Sequence, residues 1–168
     1  MPGSTTGKYQ QDEGDNLYRR SMYTLWKRSA PPASMDIFNA PTREHCTVQR
    51  ERTNTPLQAL VTLNDPQFIE SARFLAQKAI EAVGGDLDER LDYITTRVLG
   101  RVLESSEREI AKNTYGKFFS YYKANGSEAL RLIQVGESIP MELSRPVQSA
   151  ALTMMANQLL NLDEVLNK

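Results

Sequence analysis

The chain has 168 residues, with 20 Lys plus Arg against 21 Asp plus Glu, one His, one Cys and 40% hydrophobic residues. That is enough chain for a core without staples, and the balanced charge excludes a general nucleic-acid binder or a disordered acidic tail. A single Cys excludes an intrachain disulfide, and one Cys with one His builds neither a closed zinc site nor a two-cysteine haem attachment, so neither metal nor cofactor is expected.

Residues 1–16 carry Gly, Ser, Thr, Gln, Asp and Glu with Tyr9 as the only large apolar group besides Met1, and read as a flexible lead-in. Residues 17–168 read as a single helical domain. Within it, residues 17–52 hold Arg19, Arg20, Lys27, Arg28, Arg43, Arg50 and Arg52 against Asp36, Glu44 and Glu51, a local excess of positive charge. A short helix is expected over residues 17–26. Pro31-Pro32 and Pro41 then force extended or turn conformations, so residues 30–53 are expected to be a long ordered loop rich in Arg and Pro. A loop that long in a compact domain signals function or packing against something outside the chain.

Helix punctuation is clear from Thr55 onward. Thr55 can cap, Pro56 suits the first helical position and Gln58 can close a capping box, giving a short helix to about Leu63. Asp65-Pro66 repeats the start signal, and Phe68, Ile69, Ala72, Leu75, Ala76, Ala79, Ile80 and Val83 fall on one face before Gly84-Gly85. Asp86 with Glu89 caps the next helix, striped by Leu87, Leu91, Ile94 and Val98 and ended by Gly100. Ser105 or Ser106 is expected to cap a long helix to about Ala124, carrying Tyr115, Phe118, Phe119 and Tyr122 on one side, with Asn125-Gly126 closing it. A brief helix over residues 128–135 and a final amphipathic one through Val147, Ala151, Met154, Met155, Leu159 and Leu162 complete the chain. No run alternates with period two, and no apolar run approaches the ~20 residues of a membrane span. Residues 1–7 lack the apolar core of a signal peptide, so the chain as given is expected to be soluble. The expected fold is all-α: an irregular bundle of five to six helices preceded by the Arg/Pro-rich loop.

Few constellations offer chemistry. His45-Cys46 sets a base beside a nucleophile, but sequence neighbours seldom face each other and no third group orients them; a small buried Cys beside a partly exposed His is the plainer reading. Asp86, Asp88, Glu89 and Asp92 lie in a helical first turn, where they complement the helix dipole. No glycine-rich phosphate loop is present. No catalytic residue is assigned on these grounds. The aromatic group of Tyr115, Phe118, Phe119, Tyr121 and Tyr122 reads as core packing rather than a sugar platform, with Tyr121 off the packed face. The segment that resists a plain core reading surrounds two helix starts with Arg43, Arg50, Arg52, Asn54, Asn64 and Asp65. Either the guanidinium forks hold loop carbonyls and carboxylates as scaffold, or they and the helix N-termini seat an anion such as sulfate, phosphate or carboxylate.

A resemblance then emerges from specific runs. Leu17-Tyr18-Arg19-Arg20-Ser21-Met22-Tyr23-Thr24-Leu25-Trp26-Lys27-Arg28 with Ala30-Pro31-Pro32 forms one, and Phe38-Asn39-Ala40-Pro41-Thr42-Arg43 with Cys46 a second. Arg50-Glu51-Arg52-Thr53-Asn54-Thr55-Pro56-Leu57-Gln58-Ala59-Leu60 and Leu63-Asn64-Asp65-Pro66 follow. Together with Leu99-Gly100-Arg101 and the closing Leu159-Leu160-Asn161-Leu162-Asp163-Glu164, they resemble the planctomycete PSD1 domain, or domain of unknown function 1553, from about Gly7 to the end. The resemblance implies the C-terminal part of a long, exported, multidomain protein of the cell envelope or periplasm, with a cytochrome-c-like module and a second uncharacterised domain upstream. It transfers no activity. Asn39 stands where the family pattern has Asp, and His45 sits at a position usually apolar or variable. Relatives keep company with sulfatases and polysaccharide-degrading systems, which adds an anionic glycan to the possible partners.

Three functions follow as expectations. The first is a non-catalytic interaction or assembly module that pairs with upstream domains of its parent, another protein or a second copy. The second is a module binding an anionic ligand or glycan through Arg43, Arg50, Arg52, Asn54, Asn64 and Asp65. The third is part of an enzyme completed by upstream residues, with His45, Cys46 or Asp65 as participants. No nucleic-acid partner and no membrane span are expected.

Overall fold

Turn chemistry and apolar spacing set where the helices begin and end in the computed structural model, which describes residues 12–24, 31–42, 44–49, 51–140 and 145–167. The α-helices are α1 (Ala33–Ile37), α2 (Pro56–Asn64), α3 (Pro66–Ala82), α4 (Leu87–Val98), α5 (Ser105–Ala124), α6 (Gly126–Ile133), α7 (Pro146–Leu160) and α8 (Asp163–Leu166). Two 3-10 turns lie at Gly14–Asn16 and Ser21–Tyr23, and no strand occurs among the described residues, so the chain is all-α. The six helices expected from residue 55 onward form; α1 and α8, of five and four residues, add to them.

Local starts obey their side chains. Asp65 caps α3 by accepting the Gln67 N–H at 2.8 Å, and Asp86 caps α4 by accepting that of Asp88 at 3.3 Å. The cap of α5 is Glu104 rather than Ser105 or Ser106: its N–H donates to Glu107 Oε2 at 2.9 Å, which makes Ser105 the first helical residue. The helix expected over residues 17–26 is replaced in its described part by the turn at Ser21–Tyr23, while Trp26 lies outside the described residues. Met22 and Tyr23 are exposed, and a segment that short needs a buried face to stay helical. Within the expected loop over residues 30–53, α1 forms directly after Pro31-Pro32.

Contacts divide the chain into two units, Met1–Gln58 and Ala59–Lys168. In the second unit α7 is the hub, packed against α3, α5 and α6 and touched by α4 and α8. Ala72, Ala76 and Ala79 of α3 meet Leu91 and Ile94 of α4 and the Leu152–Met155–Leu159 side of α7 in one apolar cluster. Ala129 and Ile133 of α6, Tyr122 of α5, and Ala150 and Ala151 of α7 form another. The expectation of an amphipathic last helix is therefore corrected. Ser149 through Thr153, Met155 through Asn157 and Leu159 are all buried, because neighbours surround α7 on several sides. Small side chains at Ser149, Ala150, Ala151 and Ala156 let those neighbours approach closely.

Candidate functional site

In the first unit, residues far apart in sequence meet in one hydrogen-bonded joint. Asn39 takes φ +53°, a left-handed conformation that Asn tolerates better than other side chains. Its Nδ2 donates to Thr53 Oγ1 at 2.6 Å and to the Glu51 carbonyl at 3.4 Å. Gln58 donates from Nε2 to the same Thr53 hydroxyl and to the Ile37 carbonyl, both at 2.9 Å. Its Oε1 accepts the Thr55 N–H at 3.0 Å while the Gln58 N–H donates to Thr55 Oγ1 at 3.3 Å, the reciprocal capping box expected at the start of α2. The run over residues 38–43 and the run over residues 50–60 are thus joined, through Asn39 of the first and Glu51, Thr53 and Gln58 of the second. Helix α2 is turned inside out as a result: Gln58 is 3% exposed, whereas Leu57 and Leu60, one turn apart, are 53% and 58% exposed.

The six residues expected to seat an anion are distributed as follows. Arg43 and Arg50 lie outside the described residues. Arg52 and Asn54 are exposed in the extended stretch before α2. Asn64 Nδ2 donates to the Leu60 carbonyl at 2.8 Å, closing the end of α2, and Asp65 caps α3. The side chains of Asn64 and Asp65 are therefore engaged at the ends of their own helices. His45 and Cys46 are both exposed. The buried Cys expected from the sequence is corrected, since residues 44–49 are exposed throughout and no core covers them.

In the second unit the later resemblance runs are tied to one another. Arg101 of Leu99-Gly100-Arg101 forks onto Glu107, at 2.7 Å from Nη1 and 2.9 Å from Nη2, and onto Glu164 of the closing run, at 3.1 Å from Nε and 2.9 Å from Nη2. This planar double fork is geometry a lysine cannot copy. The guanidinium bonds, with help from the Glu104 N–H, pull the Glu107 carboxyl down to about 2. Thr62 donates to Asn161 Oδ1 at 2.5 Å, and Asn157 Nδ2 donates to the Thr62 carbonyl at 2.9 Å, tying α2 to the end of α7. Asp88 and Asp92, expected only to complement the α4 dipole, also pair with α5: Arg108 reaches Asp88 at 3.3 Å and Asp92 at 2.5 Å, and Lys112 reaches Asp88 at 2.6 Å. The Lys112 bond is the largest influence holding the Asp88 carboxyl below its usual range. Of the aromatic group, Tyr122 is buried, Tyr115 and Phe118 pack partly against the core, and Phe119 stands at the exposed edge of that face. Tyr121 is exposed, as its position off the packed face implies, and donates to Glu128 at 2.5 Å.

Sequence reasoning missed a buried polar face on α3. Glu70, Arg73 and Gln77 lie beside the alanine stripe and are as inaccessible as the core. Arg73 Nη2 lies 3.4 Å from Glu70 Oε1 and donates to the Ser138 carbonyl at 3.0 Å and to Ser138 Oγ at 2.6 Å. The Ser138 N–H donates to Glu70 Oε1 at 2.6 Å. Arg73 Nε and both polar atoms of the Gln77 amide have no hydrogen-bond partner among the described residues. The one sequence signal was the i, i+3 pairing of opposite charges flush with the apolar stripe, a pattern equally common on solvated faces. Among the described residues no group of His, Cys, Asp and Glu could hold a metal ion, and no helix is long and apolar enough to cross a membrane.

Residues 1–115 match the model of a family described as PSD1, protein of unknown function (DUF1553). The match takes in the Asn39–Thr53–Gln58 joint and Arg101, while the closing run that holds Glu164 lies beyond it. No curated protein and no solved structure matches the chain.

Proposed function

Since the chain belongs to the PSD1 family, we propose that it is a non-catalytic helical interaction or assembly module, the C-terminal part of a larger exported protein of the cell envelope. The observation that carries this reading is the inverted helix α2. Its polar Gln58 is spent inside on the joint, and its leucines 57 and 60 face out. Internal ties elsewhere use residues of the resemblance runs, including Thr53, Asn161, Arg101 and Glu164, as scaffold. A module built this way offers shape and apolar contact. Its partner is an apolar protein surface, from an upstream domain of the parent or a second copy.

Sedimentation of the chain alone and mixed with the upstream region of its parent tests the reading. Leu57→Glu with Leu60→Glu should abolish the association and leave the helical content unchanged. Association that survives the pair, or no association with either partner, rejects it. Thermal unfolding with sulfate, phosphate and sulfated oligosaccharides addresses the alternative, an anion or glycan seat at Arg43, Arg50, Arg52, Asn54, Asn64 and Asp65. A midpoint raised by a ligand in the parent chain but not in Arg50→Ala or Arg52→Ala replaces the assembly reading with a binding site. Variants that are merely less stable leave those arginines as scaffold.

A further inference from the structure

We propose that residues 136–140, in the connection from α6 to α7, form a strap that opens and closes over α3 without unfolding of the helices, with the Glu70–Arg73 pair as its latch. The strap leaves α6 after the Gln134 and Val135 N–H groups have closed the helix end. Ser138 anchors it with its N–H, its carbonyl and its hydroxyl, all taken by Glu70 and Arg73. On either side of that anchor the chain returns to solvent: Glu137 and Ile139 are exposed. Gly136 makes the approach possible. It takes φ +102°, and a Cβ there would lie 2.3 Å from Glu70 Cδ, so the strap backbone rests directly on the latch carboxylate.

The physics favours local opening. The latch holds a carboxylate and a guanidinium at 5% and 1% side-chain exposure, and the desolvation of two such charges offsets most of what their attraction contributes. Arg73 Nε and, one helical turn further on the same face, the Gln77 amide gain no hydrogen bond among the described residues while the strap is closed. Opening hydrates the Glu70 carboxylate and the Arg73 guanidinium, the groups that Ser138 and Gly136 cover. It breaks the Ser138 bonds but none of the main-chain bonds of α3 or α7, so it belongs to the low-energy end of the openings a fold permits. Closed, the strap masks the Glu70–Arg73 pair in the middle of α3; open, it presents that polar pair to solvent.

Amide exchange of the whole chain, read residue by residue, tests this. The Ser138 amide should exchange at least about tenfold more slowly than an unstructured amide, and about a hundredfold or more faster than those of Ile94 and Leu152, with almost no dependence on added denaturant. Gly136→Ala, which displaces Glu70 from the strap side and leaves α3 unaltered, should speed Ser138 exchange about tenfold while Ile94 and Leu152 keep their rates. Glu70→Gln, of the same volume, is expected to act in the same direction and serves if Gly136→Ala does not fold. A Ser138 amide that exchanges with the core, or with no protection, overturns the proposal. So does a variant that speeds Ser138 and the core amides alike.

Discussion

The inverted face of α2 leads to an inverted mutational pattern. In an ordinary amphipathic helix, truncating a leucine costs more than truncating a neighbouring glutamine. Here Gln58→Ala deletes hydrogen bonds that include two donated to Ile37 and Thr53 and one accepted from Thr55. Each contributes a net ~0.5–1.5 kcal/mol. The Thr55 N–H can turn to water and the Thr53 hydroxyl keeps Asn39, so the Ile37 carbonyl bears the greatest loss, and a total of about 2 kcal/mol is expected. Leu57→Ala removes a side chain already half in solvent and should cost under about 0.5 kcal/mol. Gln58→Glu is the sharper probe: the Thr53 hydroxyl can turn to donate to the new carboxylate, but at neutral pH that carboxylate faces the Ile37 carbonyl oxygen without a proton, and the change should destabilise at least as much as Ala. Urea unfolding followed by helical circular dichroism reads all three, with unchanged denaturant slopes as the condition for comparing them. Should Leu57→Ala prove costlier than Gln58→Ala, the joint is not the role of this run, and the exposed leucines lose their standing as a contact surface.

Asn39→Asp should cost about 0.5–1.5 kcal/mol in the same assay: the Thr53 hydroxyl, which accepts from both Asn39 and Gln58, can donate its own proton to the new carboxylate, but the bond to the Glu51 carbonyl is lost. The Glu107 carboxyl, at about 2 in the fold against an ordinary 4.5, makes the unfolded chain bind more protons between those values. The contribution of the Arg101 clamp is therefore full above about pH 4.5 and lost as pH falls toward about 2; acid titration of stability should show that slope, and Arg101→Ala should flatten it. Asp88, held down mainly by Lys112, adds to stability loss with the same sign, so Lys112→Ala should lessen the acid slope further. Ile94→Ala, at a fully buried position of the main cluster, should cost about 2–5 kcal/mol by thermal or urea unfolding.

The sequence alone determined what depends on neighbours along the chain. Pro56 and Pro66 behind Thr55 and Asp65, the Asp86 cap and the 3.6-residue spacing of Leu91 and Ile94 act within a few residues, so the α-helices from α2 to α7 and the all-α class were readable. So was the reciprocal pairing of Thr55 with Gln58. Side chains that act at a distance were not. Whether Arg101 faces water or grips Glu107 and Glu164, whether Asn39 meets Thr53, and whether Glu70 and Arg73 are solvated or sealed under Ser138 depend on segments up to 68 residues away. Periodicity measures the hydrophobicity of a face and cannot say how many neighbours a helix has; α7 looked amphipathic and is surrounded, while α2 carries its leucines outward. Local chain chemistry is short-ranged and so is written in the sequence, but burial and the partner of a polar group are properties of the packed arrangement, and only the tertiary structure decided them.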